Sequence, residues 1–401
     1  MPASASNSAR PVTSPDVKQA AVFLISLILT AGCRAADRFY VWQQHWNSRV
    51  LTAVKSEAAT TLYPIVTEVA RSGESALVHI PWTELAQTPH QWVPVIRVPL
   101  KAFSRPDIGD ELARICDALD AFQEVQLDLD CPERRLAEYA DLLRRLRPRI
   151  PQKTLSVTAL PAHLNNRMFK NVAAHCDYYV LQVHGLDVPV YMTERAELMN
   201  PATARQAVRK GEALDHPYFI ALPCYAYELN FDPASGKFLH LTAEGPAGKE
   251  TTLKRRIAAD PRDLIALIQN FQTLENARGI IWFRLPVEGD QLCLPRPALA
   301  DIQAGRIPAS GISYTLQAVS ETTAELSLRN EHVIHAHEAT LALAWPEPRG
   351  TYDIYRDISA PAKQPGRLPA TLTVPVPPPG SEQKIGWFSF AHPPTIEITL
   401  K

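Results

Sequence analysis

Residues 125–130 read VQLDLD, and they run directly into CPERRLAEYADLLRRLR at 131–147. The first string alternates, with Leu127 and Leu129 on one side and Asp128 and Asp130 on the other, which is the period of a β-strand. The second opens on Pro132 and sets Leu136, Tyr139, Leu142, Leu143 and Leu146 on one stripe, which predicts an amphipathic helix. Because the leucines suit a covering helix layer, the two aspartates are expected to face the opposite way, toward the interior of a barrel.

The same alternation recurs on both sides of this unit. Strand patterns occur at FYVW (39–42), LYPIVTEV (62–69), VPVIRV (93–98), TLSVTAL (154–160), YYVLQVH (178–184), YFIALPCYAY (218–227) and GIIWFRL (279–285), with SALVHI (75–80) reading as an insertion. Helical patterns fall at 107–121, 134–147, 162–175, 202–213 and 260–273. Eight strands alternating with helices over about 250 residues predict a (β/α)8 TIM-type barrel across 37–301. Beyond a linker at 302–311 the period becomes 2, with Pro/Gly turns and no helical pattern, which predicts a small all-β sandwich across 312–401. Sugar binding and simple capping both remain open for that module.

The 401 residues are 46% hydrophobic and 21% charged, with 41 Lys+Arg against 42 Asp+Glu, a composition suited to a folded protein rather than a disordered or coiled-coil one. The net charge of −1 gives no basic stripe for nucleic acid. Thirty-five prolines stand against 16 glycines. Phosphate-cradling loops need glycine, and GPAGKET (245–251) has the wrong spacing for a P-loop, so nucleotide chemistry is not expected. Pro99, Pro132, Pro161, Pro189, Pro223 and Pro286 instead fall at or just beyond strand ends, where they would stiffen the loops around a barrel mouth.

Residues 1–36 are set apart as a leader. A polar, Ser/Pro-rich start with Arg10 and Lys18 leads into AAVFLISLILTAG (20–32), about a dozen apolar residues, too short to span a bilayer and the right size for a signal-peptide core. LTAGC (29–33) is similar to a bacterial lipobox, with Thr30 where an aliphatic residue is usual, and makes Cys33 the expected lipidation residue; cleavage after Ala35 or Ala36 and an uncleaved anchor are the alternatives. The protein is accordingly expected in the cell envelope, as a periplasmic or outer-membrane lipoprotein, or secreted. Of the remaining cysteines, Cys116 and Cys176 lie in apolar segments as buried fillers, and Cys131 and Cys224 fall at strand ends, where the sequence leaves a disulfide open.

Several strands end in polar residues spaced i, i+2, and such pairs share a face. Asp128 and Asp130 are joined by Gln182 and His184, by Tyr225 and Tyr227, and by Trp282 and Arg284. Ser156 and Thr158 add a small polar pair, Trp42 and Gln44 come from the first strand, and Arg97 and Glu68 are single additions. Carboxylates, amides, Arg, His and aromatic rings at one mouth suit carbohydrate, because rings stack on sugar faces and the polar groups take hydroxyls. Two neighbouring carboxylates also push one pKa upward, the means of keeping a general acid protonated. Asp130 is the expected acid/base, Asp128 its tuner, and Glu228 or Glu68 a second carboxylate. No G-x-S-x-G elbow or H-E-x-x-H is present, the Asp128–Asp130–His184 spacing is not diagnostic of a metal, and no cofactor is expected.

At these residues the chain resembles a known family. The ordered strings FYVWQQHW, VPVIRVP, VQLDLDCPERRLAEYADLLRRLR, LSVTALP, YVLQVHGLD, NPATARQAV, FIALPCYAYEL and GIIWFRLP, spanning roughly residues 38–290, are similar to bacterial proteins of the domain-of-unknown-function 3142 family. The resemblance implies an exported protein with a glycosidase-like barrel, and no particular reaction. A more distant likeness is to family 18 chitinase-type barrels, whose fourth strand carries D-x-x-D-x-D-x-E with the Glu as acid. Asp128 and Asp130 match the last two aspartates, but Pro132 occupies the Glu position and Glu133 comes one step late. Where those enzymes end the sixth strand in a Met-x-Tyr-Asp-like string, this chain has Leu181-Gln182-Val183-His184. The eighth strand is similar in placing Trp282 on the expected barrel floor. The reading that results is a glycoside-hydrolase-like protein acting on a polysaccharide or oligosaccharide, with a non-catalytic carbohydrate-binding or envelope-interaction lipoprotein, held to the membrane through Cys33, as the alternative.

Overall fold

The computed structural model describes residues 38–58, 60–243, 252–271, 273–308, 311–331, 338–344, 349–355, 368–377, 381–390 and 397–400. The leader and Cys33 lie outside the described residues. Eight strands form a closed parallel barrel: β1 (Arg38–Val41), β2 (Thr61–Glu68), β4 (Val95–Arg97), β5 (Glu124–Asp128), β6 (Thr154–Ala159), β7 (Tyr178–Gln182), β8 (Tyr218–Pro223) and β12 (Ala277–Phe283). They pair in the ring β1-β2-β4-β5-β6-β7-β8-β12, and β12 returns to β1 through Phe39 opposite Trp282. A two-residue strand β3 (Gln91–Trp92) also pairs with β2. Together β3 and β4 are one strand broken at Pro94, which has no N–H to give the ladder.

The expected alternation of strand and helix is present. Helices Ile108–Ala118, Leu136–Leu146 and Pro261–Phe271 occupy the predicted stretches with trimmed ends, and Pro201–Glu212 lies one residue earlier than predicted. The stripe Leu136, Tyr139, Leu142, Leu143 and Leu146 is buried against the strands, as its spacing requires. The pattern at 162–175 yields a 3-10 turn (His163–Asn165) and a short helix (Phe169–Ala173), because the Asn166 side chain accepts from the Met168 N–H and closes a local turn in between. Residues 75–80 form no strand and loop from β2 toward the turn of helix at Trp82–Leu85.

Two layers of core follow from the parity of the strands. Phe39, Val41, Leu62, Ile96, Leu127, Leu155, Leu181 and Leu222 face the helices. Tyr40, Tyr63, Val95, Val180, Ala221 and Ile281 fill the barrel interior. The run at 218–227 is not a single strand. After β8 the chain turns at Cys224-Tyr225 and forms β9 (Ala226–Phe231), the centre of an antiparallel sheet with β10 (Phe238–Thr242) and β11 (Leu253–Ala258).

The C-terminal region is all-β. A four-stranded antiparallel sheet, β13 (Ile312–Ser320), β14 (Thr323–Asn330), β18 (Ser381–Phe390) and β16 (Gly350–Ile354), faces a three-stranded one, β17 (Thr371–Pro375), β15 (Glu338–Ala344) and β19 (Glu397–Leu400). Leu326, Leu328 and Phe388 from the first share a core with Leu341, Leu372 and Val374 from the second, the construction of a sandwich. Among the described residues no helix is long and apolar enough to cross a membrane.

Candidate functional site at the barrel mouth

The C-terminal ends of the barrel strands surround a cavity of about 410 Å³. Register places its central row. Glu68 of β2 lies opposite Arg97 of β4, and Arg97 lies opposite Asp128 of β5, so three charges stand side by side at the top of three neighbouring strands. Asp130 follows one alternation further out, beyond the end of β5. The Arg97 guanidinium donates through Nη1 to Asp128 and through Nη2 to Asp130 Oδ2 at 2.9 Å. It also lies 5.9 Å from the Trp42 ring centre.

The two aspartates are held differently. Asp128 is buried, and its second oxygen accepts from Thr158 Oγ1 at 2.8 Å and Gln182 Nε2 at 3.3 Å. Burial raises the Asp128 pKa, and the Arg97 charge pulls it down without cancelling that effect. Burial opposes the charge on Arg97 too, but Asp128 and Asp130 outweigh it, so Arg97 holds its proton more firmly than usual. Asp130 is half exposed, with 49% of its side chain open, and is the accessible member of the trio.

The far wall is aromatic. Phe283 of β12 lies 5.1 Å from Trp42, 5.4 Å from His184 and 5.4 Å from Tyr225, measured between ring centres. Tyr225 and Tyr227 meet edge to face at 5.0 Å. His184 approaches the Tyr225 hydroxyl through Nδ1 at 3.4 Å, while its Nε2 is buried with no hydrogen-bond partner. Burial pushes the imidazole pKa down to about 4, so the ring is neutral near pH 7. Leu160, His184, Gly185 and Leu186 also border a second cavity of about 620 Å³, which runs over Asn165, Gln206 and Lys210.

Trp42, Gln44, Glu68, Arg97, Asp128, Asp130, Gln182, His184, Tyr225 and Tyr227 therefore border one cavity. Five expected residues do not: Trp282, Arg284, Glu228, Ser156 and Thr158, the last of which lies behind the cavity as a donor to Asp128. Trp282 points into the helix layer, because it pairs in register with the outward-facing Phe39; its neighbour Phe283 takes the interior place instead. Arg284 is buried behind the site, bonded to Asp290 and 5.9 Å from the Tyr225 ring centre, where it backs that ring. Glu228 sits on β9, buried against Lys254 and Arg256 of β11 at 3.1 Å each, so Glu68 rather than Glu228 is the further carboxylate at the mouth. Ser156 points inward but lower, bonding Gln126. Phe283 escaped the sequence reading, although its alternation with Ile281 carried the signal. Among the described residues no cluster of three or more His, Cys, Asp or Glu side chains is placed as metal ligands would be.

The fold and its mouth define a (β/α)8-barrel protein with a polar, aromatic-walled cavity at the C-terminal face. Within it, residues 102–288 match the model of the family described as Domain of unknown function (DUF3142), the family that the sequence resembles. No curated protein matches the chain. Solved structures with a similar trace include the Bacillus cereus spore cortex-lytic enzyme SleL, 12% identical, covering 68% of this chain and 74% of that one with a TM-score of 0.48. A chitinase from Chromobacterium violaceum is 10% identical over 67% of this chain and 99% of its own, with a TM-score of 0.47. The GH18 chitinase ChiB of Flavobacterium johnsoniae is 12% identical over 62% and 87%, with a TM-score of 0.43. Likeness at this level transfers no function.

Proposed function

We propose that the mouth cavity binds a polysaccharide segment and hydrolyses a glycosidic bond within it. The observation that carries this reading is the row Glu68–Arg97–Asp128 with Asp130 above it. Two carboxylates, Glu68 and Asp130, border the cavity on either side of a guanidinium that a third, buried carboxylate holds in place. In this reading Asp130 acts at the scissile bond and Glu68 is the second carboxylate, the pair that glycoside hydrolysis requires. Asp128 is a positioning residue acting through Arg97. Trp42, Phe283, Tyr225 and Tyr227 supply ring faces, while Gln44, Gln182 and His184 supply hydroxyl partners. The adjoining 620 Å³ cavity supports a substrate longer than one sugar unit.

One observation favours a second reading, a non-catalytic glycan-binding protein: Asp130 is bonded to Arg97 at 2.9 Å, so the guanidinium already occupies one of the oxygens that would have to meet a scissile bond. A glycan-array screen combined with a reducing-sugar assay separates the two. For an enzyme, Asp130→Asn should lower hydrolysis about a hundredfold or more while retained binding is seen on the array. Wild-type protein that binds glycan and releases no reducing ends would establish the second reading, and undiminished hydrolysis by the Asn variant would remove Asp130 from its role.

The proposal places this activity in the cell envelope, with Cys33 as the lipidated residue. Radiolabelled palmitate should be incorporated into the wild type and not into Cys33→Ala. Equal labelling of both would refute the anchor.

A further inference from the structure

Cys224 and Cys293 lie far apart in sequence and converge beneath the site. Cys224 is the first residue after β8, and the next residue, Tyr225, forms an antiparallel bridge with Cys293 in the segment after β12. Two backbone bonds clamp the crossing: Leu294 N–H donates to the Cys224 carbonyl at 2.8 Å, and Ala226 N–H donates to the Leu292 carbonyl at 2.8 Å. Both side chains turn toward one acceptor, the Arg284 carbonyl, with Cys224 Sγ at 2.9 Å and Cys293 Sγ at 3.7 Å. Cys293 Sγ also reaches the Cys224 carbonyl at 3.2 Å. Both residues are buried, so neither thiol is presented to a substrate.

We propose that Cys224 and Cys293 are a disulfide pair, held as two thiols in the structure described here. The crossing sets Cys293 opposite Tyr225, the residue next to Cys224, and both sulfurs approach the same acceptor, the Arg284 carbonyl, so the two side chains converge on one buried point. The other three cysteines of the barrel offer no such arrangement: Cys131 Sγ bonds the Pro132 carbonyl and Cys176 Sγ the Ala173 carbonyl, each within its own turn, and Cys116 packs in the helix-layer core. The oxidant is an external disulfide, RSSR. One thiolate attacks it and releases RSH, the second thiolate displaces the other RS group as RSH, and the two cysteines lose two electrons and two protons to form the S–S bond. The bond would tie the turn carrying Tyr225 to the segment after β12, and so fix the aromatic wall of the cavity.

The test uses the full chain, folded with and without oxidised glutathione, then denatured and treated with a maleimide before mass measurement and peptide mapping. Folding with the oxidant should protect two of the six cysteines. It should also give one linked peptide pair containing Cys224 and Cys293, 2 Da lighter than the two thiol peptides, and raise the melting temperature by several degrees relative to the reduced form. Cys224→Ser and Cys293→Ala should each abolish the protected pair and the temperature difference. Six reactive thiols after oxidative folding, or a linked pair involving other cysteines, would overturn the assignment. This result does not depend on whether the cavity hydrolyses glycans.

Discussion

The two ends of strand β5 carry the same pattern and do different work. Glu124, Gln126, Asp128 and Asp130 all fall on the inward face, a polar column running up one strand of the barrel. At the lower end the partners are hydroxyls. Tyr178 donates to Glu124, Tyr63 meets Tyr178 at 3.2 Å, and Gln126 accepts from Tyr40 at 2.6 Å and donates to Ser156 at 3.2 Å. Every group there is turned toward another protein group, which makes it a satisfied plug. At the upper end the column meets a cation, Arg97, and opens into a cavity. Parity therefore decides which side chains are interior, whereas the partners on neighbouring strands decide whether an interior polar group is structural or free to meet a ligand.

The largest expected effect lies at the hinge between the two ends. Asp128→Ala would leave Arg97, Thr158 and Gln182 without their shared acceptor, and should cost about 3 kcal/mol in urea unfolding. Asp128→Asn keeps one acceptor oxygen and a similar volume, and it removes a carboxylate whose pKa burial has already raised, so it should cost much less. Equal losses for the two variants would mean that charge rather than hydrogen bonding holds the row. The next effect is pH-dependent. His184 is held neutral in the fold, with its pKa pulled down to about 4 by burial, while the unfolded chain takes up a proton near 6.5. Stability should accordingly be full above pH 6.5 and fall as the pH drops toward 4, by roughly 2–3 kcal/mol, and His184→Gln should flatten that part of the curve. At the lower end, Tyr178→Phe takes a donor from half-buried Glu124 and should cost about 1–2 kcal/mol without changing glycan binding.

Much of this contrast was legible before the structure, and the rest was not for identifiable reasons. The VQLDLD alternation and the leucine stripe after it are local signals, and they give the β5–helix unit and the direction of both aspartates. Arg97 could be named but not joined to them, because its contacts come from the register between β4 and β5, a tertiary property. In the sequence alone Trp282 points inward, because Arg284 shares its parity and a polar side chain suggests the interior. In fact Arg284 lies past the end of β12, where Asp290 neutralises it, so its polarity said nothing about the strand. Glu228 falls outside the mouth although the composition of CYAYELNF stays strand-like straight through the end of β8. Only the turn at Cys224-Tyr225, clamped by Leu292 and Leu294, shows where the barrel stops and the inserted sheet begins.

The smallest expected effect on stability is the most informative about the upper end. Asp130 meets Arg97 at the rim with about half of its side chain in solvent, and exposed pairs of this kind contribute at most about 1 kcal/mol. Asp130→Asn should therefore unfold within about 1 kcal/mol of the wild type, in contrast to Asp128→Ala two residues below it. A residue that costs little to replace, yet borders an aromatic-walled cavity together with Glu68, has a position that the stability of the barrel does not account for. If Asp130→Asn instead destabilised the chain as much as Asp128→Ala does, the two aspartates would form one structural clamp on Arg97, and Glu68 would be left as the sole carboxylate of the row available to a ligand.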